Sequence, residues 1–198
     1  EVTILFNALD RKVNLTTLLL QIISSKKVER LTYVDFKRHN NINLQENFTE
    51  WDKKEYDFGT VLLEDKKEII ICNEKMDKEK ILELMLYLSS KRNPIIIDAS
   101  DYHLEKFEGI NVMMKSVDKI YLVDTKSDIR KQTSEYKEAI VKLNPGNEKC
   151  EVIVIPHNED YKSDEYLEEW IMKFGLKNKE SKMQKSSVAE KIILKVKE

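Results

Sequence analysis

The sequence predicts an α/β protein with a mostly parallel central sheet and helices on both faces. Three observations carry that expectation. Six short runs are almost continuously apolar rather than alternating: Val2–Phe6, Leu31–Phe36, Glu68–Cys72, Ile95–Asp98, Ile120–Val123 and Val152–Ile155. Such runs fit strands buried on both faces. Segments of helical periodicity separate several of these runs, as crossover connections between parallel strands require. Only four glycines and three prolines occur in 198 residues, which leaves little room for long coil.

The elements follow in order. Val2–Phe6 predicts the first strand, Asn7–Leu15 a polar loop, and Thr16 and Thr17 open an apolar run, Leu18–Ile23, of helical length. Leu31–Phe36 predicts a second strand that carries Asp35 near its carboxyl end. Residues 40–54 are polar with scattered aromatics and predict irregular structure. Val61–Leu63 is a weaker strand candidate and Glu68–Cys72 a better one. Asp77–Lys91 reads as a helix capped by Asp77, with Ile81, Leu82, Met85, Leu86 and Leu88 as a broad apolar face. Pro94 leads into Ile95–Asp98, a strand ending in an acid, and 101–117 predicts a shorter helix. After Ile120–Val123, Ser127–Leu143 predicts a long helix stopped by Pro145 and Gly146. Val152–Ile155 is the last core strand, and Ser163–Phe174 an amphipathic helix ended by Gly175.

Composition bounds the function classes. Charged residues make up 35% and hydrophobic ones 41%, as in a globular chain with a charged surface, and the net charge of −2 gives no global case for nucleic acid. No apolar run approaches the roughly 20 residues that span a bilayer, and no signal peptide is evident, so a cytoplasmic location is expected. The chain begins at Glu1 directly before a strand, which reads as a fragment or processed chain. Cys72 and Cys150 read as buried thiols. His39, His103 and His157 lack ligand-like spacing, so no metal site is expected. Residues 1–176 form the expected α/β domain and 177–198 a basic tail. The tail holds seven lysines against three glutamates, a formal +4 that leaves −6 for the domain. It reads either as a solvated end or as a short helix with Val188, Ile192, Ile193 and Val196 in one stripe, suited to a partner or a membrane surface.

Strand, polar loop and a helix opened by two threonines is the layout of a phosphate-binding loop, in which backbone N–H groups and a helix N-terminus face an anion. Here that loop has no glycine between Asn7 and Thr17. The order DRKVNLTT (Asp10–Thr17), VDFKRHNN (Val34–Asn41), IIIDAS (Ile95–Ser100) and VDKIYLVDTKSDIRK (Val117–Lys131) resembles the MinD/ParA family of P-loop ATPases, the deviant Walker A group. The resemblance implies a P-loop NTPase-like fold. It places Thr16 at a magnesium ligand, Asp35 at the acid that positions water and Asp98 at the Walker B acid.

It also implies losses. Arg11, Lys12 and Asn14 stand at the glycines, and Asp10 and Leu15 at the two lysines; Pro156 stands where the family contacts the base. Arg11 and Lys12 add two cations, so Arg11, Lys12, Thr16, Thr17, Asp35 and Asp98 are the residues of an altered or vestigial nucleotide site. Thr16 and Thr17 read equally as helix N-caps, and the two acids as strand-end polarity. The expectation is a pseudo-ATPase with no obligatory cofactor, ATP with magnesium being the alternative, that acts through protein partners or as a homodimer. The 63 residues from Asp35 to Asp98 resemble the ATPase-like domain of CpaE/TadZ-type pilus localisation proteins. That likeness implies an upstream receiver-like domain and a place at the inner face of a membrane. The richness in Lys, Ile and Asn points to an AT-rich bacterial genome. A nucleotide-dependent switch and an α/β module unrelated to nucleotides stay open.

Overall fold

Eight strands form one sheet in the order β3-β4-β5-β2-β6-β1-β7-β8. The computed structural model of the protein describes residues 1–7, 15–36, 44–103, 110–113, 116–124, 138, 151–156 and 164–177. The strands are β1 (Val2–Asn7), β2 (Leu31–Asp35), β3 (Asp52–Tyr56), β4 (Gly59–Glu64), β5 (Lys67–Cys72), β6 (Ile95–His103), β7 (Lys119–Asp124) and β8 (Glu151–Pro156). Neighbours from β5 to β8 run parallel, while β3-β4 and β4-β5 pair antiparallel as a hairpin series on one edge. The fold class expected from the sequence is the one observed.

Alternation along each strand sends side chains to two separate cores. Ile4, Phe6, Val34, Ile70 and Ile97 pack with α3 (Lys78–Ser89) and α4 (Ile110–Met113). Leu5, Tyr33, Ile69, Ile71 and Ile96 pack with α1 (Thr16–Ser24) and α5 (Asp164–Lys173). Leu15, Leu18, Leu19, Ile22 and Ile23 are buried, a spacing of three and four residues that makes one apolar helix face. Trp170, Ile171 and Phe174 give α5 the same character, and the Tyr121 hydroxyl donates to Lys173 O at 2.8 Å across that layer. Asp77 caps α3 through a 2.9 Å bond from Lys80 N–H, as its sequence predicts.

Several expectations need correction. Within 40–54, Leu44–Asn47 forms a short helix, α2, and Asp52 already belongs to β3. The polarity of DKKEY hides a strand because β3 is an edge strand whose side chains stay mostly exposed. Asp98 does not end its strand; β6 continues to His103, with a register break against β1 after Ala99. Asp101–His103 is therefore strand, and within 101–117 the described α-helix is Ile110–Met113 alone. The expected helix 127–143, apart from the single helical residue Glu138, Cys150 and the tail beyond Lys177 lie outside the described residues. No helix among the described residues is long and apolar enough to cross a membrane.

Gly59 is where the hairpin most needs glycine. Its φ of +149° is rare for other residues, and a Cβ there would lie 2.0 Å from the Ile71 carbonyl oxygen. Gly175 has a φ of +66° but open space around it. Gly59→Ala is expected to lose more stability in urea than Gly175→Ala, which carries only a left-handed backbone cost of about 1–2 kcal/mol.

Candidate functional site

Of the residues singled out from the sequence, Asp35 and Asp98 fall at the carboxyl edge of the parallel strands, on the face covered by α1. β2 and β6 are neighbours, and Asp35 pairs in register with Asp98. Period-2 alternation puts both acids on the face of Tyr33 and Ile96, under α1. Both are buried, Asp98 completely.

Asp98 is held from both sides. Its Oδ1 accepts from the Ser100 N–H at 3.1 Å and the Ser100 hydroxyl at 2.6 Å; its Oδ2 accepts from the Tyr33 hydroxyl at 3.1 Å. A buried carboxylate is costly unless hydrogen-bonded, and three donors offset that cost. Burial, followed by the charges of Asp98 and Asp35, holds the Tyr33 phenol well above its ordinary range. It therefore stays protonated and can only donate toward Asp98. Burial, followed by the Asp35 charge, likewise pushes the Cys72 thiol up, so this free cysteine is an inert core group.

The start of α1 departs from the expected pattern. Thr16 and Thr17 are the first two helical residues, not caps; Leu15 takes the cap position, and no side chain caps the helix. Thr17 is exposed. Leu15, read as part of a polar loop, is fully buried in the core with Leu18, Leu19 and Ile22. The apolar spacing of α1 simply extends one residue toward the loop. Asp10, Arg11, Lys12 and Asn14 and the side chain of Thr16 lie outside the described residues.

Among the described residues, Leu15 brings no charge to the start of α1, and the Asp98 carboxylate faces Tyr33 and Ser100. No group of three or more ligand-type side chains suited to a metal ion occurs among the described residues. Tyr33 and Ser100 escaped the sequence reading, although each lies two residues from an acid that did not, Tyr33 before Asp35 and Ser100 after Asp98. In a strand that spacing means the same face.

No family model matches the chain, and no curated protein matches it. Solved structures similar in layout include a ParA family ATPase from Chlorobium tepidum TLS, with a TM-score of 0.45, 14% identity, and 98% of this chain and 90% of that one covered. The kinase domain of the Escherichia coli tyrosine kinase ETK is also similar, with a TM-score of 0.47, 10% identity, and coverage of 82% and 69%.

Tyr33→Phe removes one donor to a buried anion and is expected to cost about 1.5–3 kcal/mol in urea unfolding near neutral pH. The pH dependence has a definite sign. The folded pKa of Tyr33 lies above its unfolded value near 10.0, so the folded state binds more protons once the unfolded phenol begins to ionise. Stability falls there as pH rises. Tyr33→Phe lacks this term, so the gap between wild type and variant should narrow as pH passes 10; a gap that stays constant would refute the assignment.

Proposed function

We propose that the protein is a pseudo-ATPase of MinD/ParA-like fold that works as a scaffold or localisation factor through protein–protein contacts. The observation that carries this reading is Leu15. The residue aligned by the resemblance with a phosphate-binding lysine is a core leucine with no exposed surface. A buried leucine supplies no charge to a transferring phosphoryl group, and turning it outward would open a cavity in the α1 layer. The closed hydrogen bonding of Asp98 supports the same reading from the other strand.

In this reading Asp35 and Asp98 are structural remnants of a nucleotide site, and the partner surface is the same with or without nucleotide. The partners are proteins, a second copy of this chain among them, and the process is localisation of a pilus or secretion machine. The basic tail gives an added contact to a partner or to the inner face of a membrane. The second reading is an unconventional switch that dimerises with ATP. What favours it is the pair Arg11 and Lys12, two cations in the loop that the resemblance assigns to phosphate.

Calorimetry with ATP or ADP and Mg²⁺, with a sizing column run on the same samples, separates the two. The scaffold reading expects no binding at the loop and an elution volume that nucleotide leaves unchanged. Saturable ATP binding that Arg11→Gln with Lys12→Gln abolishes, together with an ATP-dependent dimer, would establish the switch.

A further inference from the structure

At the opposite edge of the sheet, where the strands begin, a cleft of about 430 Å³ opens between Arg30, the β4-β5 turn at Asp65–Lys66 and the segment Ser90–Asn93 that follows α3. Its floor is a fixed polar network. Glu68 is buried; its Oε2 accepts from the Thr32 hydroxyl at 3.0 Å, and its Oε1 from the Tyr87 hydroxyl at 2.7 Å and Lys91 Nζ at 2.6 Å. The Asn93 amide ties two walls together, donating to Lys66 O at 2.9 Å and to the Thr32 hydroxyl at 3.4 Å. Lys91 also lies 4.0 Å over the Tyr87 ring. An ammonium carries three donors, so Lys91 is held in place with donor capacity left over.

The charges around this floor do not cancel. Glu68 neutralises Lys91, and Glu29 pairs with Lys66. Arg30 and Arg92 also line the cleft; Arg30 lies within the field of Glu29, neither makes an ion pair among the described residues, and the remaining lining acid is Asp65. The carboxyl end of α3 would repel an anion if its carbonyls were bare. Three of them are occupied, which reduces that repulsion: Leu86 O accepts from the Ser89 hydroxyl, Tyr87 O from the Ser90 hydroxyl, and Leu88 O from Lys91 N–H.

We infer that this cleft is a binding site for a small phosphorylated molecule, with Arg30 and Arg92 as the anion-contacting pair and Lys91 as a positioned donor at the floor. Guanidinium groups suit phosphate oxygens because they offer paired donors, and the volume lies in the range of small-ligand sites. The cleft lies at the amino edge of the strands, whereas β1 ends and α1 begins at the carboxyl edge, and none of the residues lining the cleft belongs to the segment between them.

The test is a titration of the full chain with inorganic pyrophosphate, followed by calorimetry and amide NMR. Wild type is expected to bind saturably, with shifts at Lys66 and at 90–93. Arg30→Gln with Arg92→Gln should weaken binding about tenfold or more while thermal unfolding stays unchanged, and Lys78→Gln on exposed α3 should leave binding intact. Absence of saturable binding, or equal weakening by Lys78→Gln, would overturn the proposal, as would an acidic peptide that binds the cleft where pyrophosphate does not compete. ATP run in parallel keeps the two sites distinguishable. Heat lost with Arg30 and Arg92 belongs to this cleft, whereas heat lost only with Arg11 and Lys12 belongs to the loop.

Discussion

The central strands are covered on both faces, and this constraint governs where polarity can sit in the molecule. A strand with helices above and below has no solvent side to which a polar side chain can turn. Each buried polar group must therefore find its partner within the protein or be lost from the sequence. Thr32, Asp98 and Ser100 are the completely buried polar residues among those described, and each is hydrogen-bonded. The same rule explains why Leu15 joins the core. Once α1 lies flat on the sheet, the residue one turn before Leu18 and Leu19 falls on the covered side, and an apolar side chain is what that side accepts.

The two ends of the sheet answer the constraint differently. At the carboxyl edge, Asp98 is closed off by its own strand and by Tyr33, so its polarity is turned inward. At the amino edge, Glu68 gathers Thr32, Tyr87 and Lys91 beneath an open cleft, so its polarity supports a surface.

The sheet was legible because its signal is local. Ile95–Ile97 or Ile69–Ile71 has few alternatives to a doubly buried strand, and the Asp77 cap announces α3. β3 was not legible, because an exposed edge strand has no apolar side to declare it. The site was legible in part. Asp35 and Asp98 stand out as acids in apolar runs, and the structure brings them side by side. What escaped was Tyr33 and Ser100, whose importance lies in cross-strand register and in a local bond two residues along the chain. The fate of Leu15 escaped as well, since a leucine at a helix start reads as loop until the packing of the whole helix is known.

β3 also bears on how copies of this protein can meet. Asp52, Lys53, Lys54 and Glu55 are exposed on both of its faces, with Lys53 and Glu55 paired at 2.9 Å. An unpaired strand of apolar residues would invite another sheet to continue the ladder, whereas a charged one makes that continuation costly through desolvation. Growth of the sheet from molecule to molecule is thus discouraged at this edge. Adding a strand here would mean desolvating these four charged side chains, so the charge pattern of β3 acts as a guard on the backbone of the edge.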